Sequence, residues 1–147
     1  MKSTPTLEQA QQEVVDEFAL FADWQDRYEQ IIEMGKDLPL IAADLKTDDN
    51  LVRGCQSRVW LHARLAPDPD GGPAVMQLTA DSDALITKGL VALVVRVLNN
   101  RTPEEVLEAK LDFIDRIGLR EHLSPTRSNG LASMLDQMRR YALAFSR

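Results

Sequence analysis

One cysteine, Cys55, occurs in the 147 residues. A lone thiol excludes an intramolecular disulfide framework and any Cys-x-x-Cys redox pair, so a reducing compartment is the simpler home. An iron–sulfur scaffold is excluded too, because it needs several thiolate ligands. With only His62 and His122 as imidazoles, a structural zinc site lacks its ligand set, and neither metal nor cofactor is expected. Basic residues are also short, 17 Lys and Arg against 23 Asp and Glu, for a formal charge of -6. Nucleic-acid recognition leans on dense cationic contacts to phosphate, so it is not expected either. No apolar run approaches the length of a membrane span, and the N-terminus, Met1 to Glu8, lacks the apolar core of a secretory signal. Membrane association is therefore not expected, and the cytoplasm is the expected location. Repeats, low-complexity tracts and linkers are missing as well. A chain of this length then reads as a single domain, 1–147, with residues 1–6 as a flexible tail.

What is present begins with apolar residues at helical spacing. Leu7, Ala10, Val14, Phe18 and Phe21 fall on one face of a first helix, with glutamine and glutamate on the other. Asp23 can cap a second helix carrying Trp24, Tyr28, Ile31 and Ile32, which Gly35 is placed to end. Pro39 and the polar stretch 44–50 read as loop. Val59, Leu61, Ala63 and Leu65 then alternate with Arg58, Trp60, His62 and Arg64, the period of a half-buried strand. The turn-rich stretch 67–73 connects it to an antiparallel partner, Val75 to Ala80. A third strand is left open between Leu51-Val52 and the 37–43 region.

Asp81-Ser-Asp83 introduces a helix from Ala84 to Leu98 that is apolar nearly all round and so belongs in the middle of the molecule. Thr102-Pro-Glu-Glu105 is an N-cap, a first-turn proline and two acids, which starts a short helix. Residues 113–119 read as a short helical turn ended near Gly118. The last helix starts around Ser128 and buries Leu131, Leu135, Met138, Ala142 and Phe145. The fold class expected is α+β, a small antiparallel sheet of about three strands with helices packed on one side.

Cys55 lies just before the first strand, directly after Gly54, with Arg53 and Arg58 near it. A sulfur nucleophile works as thiolate, and flanking cations favour that form, while glycine permits the turn that presents it. The plainer reading is a small buried hydrophobe. Asp81 and Asp83 read as cap and first-turn acid of the central helix. Arg127 reads as a solvated arginine ahead of the last one.

The wording of these segments adds to that reading. Arg53-Gly-Cys-Gln-Ser-Arg-Val-Trp60, then Asp81-Ser-Asp-Ala84, Lys88-Gly-Leu90 and Leu123-Ser-Pro-Thr-Arg-Ser-Asn-Gly130, in that order, resemble the SufE family of sulfur acceptors. The resemblance runs from about Phe18 to the last helix. It implies a carrier, not an independent enzyme, that takes persulfide sulfur from a pyridoxal-phosphate-dependent cysteine desulfurase of the SufS or CsdA kind. The sulfur then passes to an iron–sulfur scaffold protein. Cys55 is the implied sulfur-bearing residue. The resemblance places Asp83 near it, restraining the loop, and Arg127 at the surface that meets the desulfurase; by their own chemistry Gly54, Gln56 and Ser57 shape the loop, and Arg58 either steers an acidic partner face or is simply solvated. A monomer or weak homodimer is the family expectation. One cysteine suits such a relay, since a resolving thiol would divert the sulfur. Three other readings stay open: an acceptor serving another thiolation pathway, an allosteric desulfurase-binding module with a structural Cys55, and a Cys-His hydrolase.

Overall fold

Fourteen residues of almost unbroken apolar sequence, Leu85–Leu98, form the helix α3 around which the other elements gather. This is a computed structural model that describes residues 5–55 and 57–146. Ahead of α3 come α1 (Leu7–Ala19), α2 (Trp24–Gly35) and the strands β1 (Val59–Ala66) and β2 (Val75–Ser82). After it come α4 (Pro103–Glu108), α5 (Phe113–Arg116), α6 (Leu119–His122) and α7 (Pro125–Phe145). A helix apolar on nearly every face must be covered on nearly every face. α1, α2, α7 and the inner side of β2 all pack on α3, and the fold is α+β with a small antiparallel sheet.

Among the described residues the sheet has two strands, not about three. β1 and β2 pair from Val59↔Ser82 to Ala66↔Val75, with Leu61, Ala63, Leu78 and Ala80 facing the core. Both stretches considered for a third strand touch the hairpin, one along each edge, and each makes a single bridge. Leu40 bridges to Ala80 and Leu51 to Trp60. Pro39 supplies a carbonyl to Ala80 but has no N–H to extend the ladder. On the other edge, the turn at Gly54 carries the chain away after Val52. These partial pairings still cover edges that would otherwise offer free backbone groups. The expected alternation along β1 fails at Leu65, which is 40 % exposed.

Several helix ends follow from local sequence. Thr6 caps α1 and Thr102 caps α4, each in a reciprocal box with a side chain three residues on, Gln9 and Glu105. Asp23 caps α2 by accepting from the Asp26 N–H at 2.9 Å. Of the expected tail, residues 1–4 lie outside the described residues, while the Pro5 carbonyl accepts a hydrogen bond from Arg101. Gln11, on the face of α1 expected to be polar, is only 1 % exposed. Its side-chain oxygen accepts from the Asp112 and Phe113 N–H groups at 3.1 and 3.2 Å, and its amide donates to the Lys110 carbonyl. It thereby satisfies the backbone leading into α5, whose N-terminal N–H groups would otherwise be unpaired.

Gly89 and Gly35 set how closely α3 and α2 approach. A Cβ at Gly89 would lie 2.0 Å from the Ile31 carbonyl oxygen, and one at Gly35 would lie 3.2 Å from the Gly89 nitrogen. Glycine at 89 therefore admits the backbone of another helix, α2. Gly35 is the last residue of α2, but Lys36 continues in right-handed geometry, so that glycine serves packing and not a left-handed cap. Alanine favours an isolated helix over glycine by about 1 kcal/mol, whereas overpacking against a fixed backbone costs about 1–3 kcal/mol or more. Gly89→Ala is accordingly expected to lower stability in chemical denaturation and Gly35→Ala to do so less; an unchanged or raised midpoint for Gly89→Ala would mean the helices part at no cost.

Candidate functional site

The segment between Val52 and Val59 leaves the sheet as a loop with a firmly bonded neck. The Val52 N–H donates to the Val59 carbonyl at 2.7 Å. On the other side the Asp83 carboxylate accepts from the Arg58 N–H at 3.0 Å, and the Asp83 N–H donates back to the Arg58 carbonyl at 3.3 Å. That carbonyl also accepts from the Ser82 hydroxyl at 2.8 Å. At the tip, Gly54 has φ +92°, a region that L side chains rarely enter. A Cβ there would also lie 2.7 Å from the Ser133 hydroxyl on α7.

This turn aims Cys55 at α7. Its thiol donates to the Gly130 carbonyl across 3.6 Å, and a Cβ on Gly130 would sit 3.2 Å from the sulfur. Beside the sulfur is a cavity of about 50 Å³. Thr87 and Leu90 of α3 line it with Thr126, Arg127, Gly130 and Met134 of α7, and Ser57 completes it from the loop itself. Cys55 is half-buried, and burial pushes its thiol pKa above the ordinary thiol range. Arg53 and Arg58, which the sequence reading has favouring the thiolate, are exposed in this conformation, and burial outweighs them. At rest the sulfur is a neutral, hydrogen-bonded thiol.

Two expectations about helix starts need correction. Asp81 and Asp83 do not cap α3, whose N-cap is Ala84 with no side-chain bond. The ladder with β1 holds Asp81 and Ser82 in strand geometry, and the carboxylates are used elsewhere. Asp81 binds Lys46 at 2.6 Å and Lys88 at 3.5 Å. Burial would raise its carboxyl, but the bonds from Lys46 and the Ser82 N–H, with the charge of Lys88, hold it below the usual carboxylate range. Asp83 reaches the loop through the Arg58 backbone. Likewise α7 starts at Pro125, with Ser124 as N-cap accepting from the Arg127 N–H at 3.2 Å. Ser-Pro is an N-cap and first-turn pair, so Arg127 lies inside the first turn and lines the cavity instead of preceding the helix.

The loop thus brings Cys55, Gly54, Ser57, Gly130 and Arg127 together, with Arg58 and Asp83 at its neck. Gln56 lies outside the described residues. The histidines are engaged elsewhere: His122 stacks on Trp24 at 3.8 Å between ring centroids, and His62 meets Tyr141 edge-on. Among the described residues no group of three or more His, Cys, Asp and Glu is placed to hold a metal ion. Among the described residues, too, no helix is long and apolar enough to cross a membrane. The sequence reading did not single out Thr87, Met134 or Gly130 for the site. The signal available for Gly130 was its position, an isolated glycine in an otherwise periodic helix.

Comparison with known proteins agrees with this architecture. Residues 12–142 match the SufE family, described as an Fe-S metabolism associated domain. An uncharacterized SufE-like protein of Rhizobium etli is 41 % identical over 132 residues, which cover 88 % of this chain and 87 % of that protein. Another, from Rhizobium meliloti, is 38 % identical over 128 residues, 86 % of this chain and 90 % of the relative. The solution structure of a hypothetical protein from Thermus thermophilus superposes with a TM-score of 0.72 at 22 % identity, covering 92 % of this chain and 96 % of that one, which supports the fold. A match that runs from within α1 to the last turns of α7, taking in both strands, Cys55 and its cavity, places the chain: it belongs to the SufE family of Fe-S metabolism associated proteins.

Proposed function

We propose that Cys55 accepts a sulfane sulfur from the persulfide of a pyridoxal-phosphate-dependent cysteine desulfurase, carries it in the cavity beside α7, and passes it to an iron–sulfur scaffold protein in the cytoplasm. One observation carries the reading. The chain's single thiol sits on a loop against a cavity that exceeds the roughly 10–15 Å³ needed by a water-sized guest, so a second sulfur atom can be sheltered there. Shelter matters because a solvent-exposed persulfide is open to oxidants and small thiols.

Transfer balances without an outside oxidant. The Cys55 thiolate attacks the terminal sulfur of the partner's persulfide; the new bond joins Cys55 to that sulfur, and the partner's sulfur–sulfur bond breaks. The partner cysteine leaves as thiolate and can take up the proton that Cys55 gave away. For the attack the sulfur must leave the α7 cavity, because the Gly130 bond and burial both favour the protonated form. Gly54 supplies the turning point, and Asp83, by holding the Arg58 backbone, confines movement to the tip. Arg127, lining the cavity, and Arg58, exposed at the neck of the loop, supply cations for an acidic partner face, and Leu85, 72 % exposed at the start of α3, supplies an apolar contact.

Intact mass after incubation with a cysteine desulfurase and free cysteine tests the reading. The wild-type chain is expected to gain one or more sulfur atoms and Cys55→Ser none. A wild-type chain that speeds the desulfurase yet gains no sulfur would instead make this an allosteric module.

The buried thiol also implies a pH dependence. Its folded pKa is raised above the unfolded value of roughly 8.5, so stability from keeping the proton is present below that pH and is lost as pH rises through the folded pKa. The wild-type denaturation midpoint is therefore expected to fall relative to Cys55→Ser as solutions become more alkaline than about pH 8.5. Alkylation of Cys55 by iodoacetamide is expected to titrate above the same value. A midpoint at or below the ordinary thiol pKa would show that the sulfur is not sheltered in solution.

A further inference from the structure

Interior glycine weakens a helix relative to alanine, so a glycine in the second turn of a helix of 21 residues calls for a packing reason. At Gly130 the reason is the sulfur. Only a hydrogen occupies the place where a Cβ would approach Sγ to 3.2 Å, inside the ordinary contact range of about 3.5–4.0 Å. The Gly130 carbonyl, with two lone pairs, accepts the thiol as well as its own helix bond. About one turn further along α7, Ser133 meets Gly54 more closely still, its hydroxyl 2.7 Å from a Cβ built there. Two close approaches, spaced by three residues on α7, therefore receive two successive residues of the loop.

We infer that Gly130 is a positioning residue for Cys55: its bare Cα and its carbonyl form the seat that latches the sulfur loop shut. The seat sets how often the thiol is open to a partner. This makes the latch a property of α7 and not of the loop sequence alone. The consequence for sulfur transfer rests on the carrier reading above; the latch does not. A methyl group at 130 would crowd the sulfur at 3.2 Å, push the tip off its seat by a few tenths of an ångström, and leave the bonded neck in place. The open population rises, and the thiol, once out of the cavity, loses the burial that raises its pKa.

The test is alkylation of Gly130→Ala by iodoacetamide across a pH series, with circular dichroism to check the fold. The rate near neutral pH is expected to rise by about tenfold, as befits an equilibrium shifted by one overpacked methyl group, and the pH midpoint to move down toward the ordinary thiol value. A helix-propensity effect alone would move neither. Placing Gly130→Ala in a Cys55→Ala background removes the clash, so there the new alanine is expected to raise the denaturation midpoint, whereas beside the native cysteine it does not. Unchanged alkylation in a folded Gly130→Ala protein overturns the proposal. If that variant does not fold, the double variant decides: restored folding supports the contact, and continued failure overturns it. A protein that shows the alkylation response but gains no sulfur from a desulfurase keeps the latch and loses the carrier.

Discussion

The burial of α3 governs this structure. A helix with Leu90, Leu93, Val94, Val97 and Leu98 essentially inaccessible to solvent has no face that can be left in water. α2 covers one side at backbone contact through Gly89, the hairpin covers another through β2, and α1 and α7 close the remainder. Cover is incomplete near the first turns, where Thr87 and Leu90 face the gap between α3 and α7. The cysteine loop lies against that gap. The site is thus where the core's enclosure falls to a loop instead of a helix or strand.

Under the proposed carrier function, that placement reconciles two opposed demands on the sulfur. Nucleophilic attack needs a thiolate in reach of another protein, and safe carriage of a sulfane sulfur needs shelter from solvent. A loop with a neck bonded to β2 and a tip resting on α7 can meet both in turn, because only the tip has to move. The bonds at the neck are backbone pairings, one carboxylate contact and one hydroxyl contact, and those at the tip are a weak thiol donor and close packing. The weaker set is the one whose loss opens the site.

Much of the fold could be read from local patterns. The stripes of α1, α2 and α7, the hairpin with its turn-rich connection, and the capping box at Thr102 depend on residues within a few positions of one another. Their physics is local, and each appears where its pattern lies. The misreadings have a common origin in distant partners. Gln11 is polar by composition yet buried, because the backbone ahead of α5 needs its amide from about a hundred residues away. Asp81 and Asp83 have the form of helix caps, but β1 draws Asp81 into strand geometry and the Arg58 backbone engages the Asp83 carboxylate. The third strand shrinks to single bridges because Pro39 lacks a donor and Gly54 turns the chain.

By itself the sequence determined the helical stripes, the hairpin, the acidic surface and the single thiol with its family-specific setting, since each is written in residue type and short spacing. Tertiary structure alone decided that the thiol rests neutral against the Gly130 carbonyl, that Arg127 lines its cavity, and that Asp83 acts through the Arg58 backbone. Those outcomes depend on contacts between segments 25 to 75 positions apart, and the distance between such segments is set by how α3 is covered.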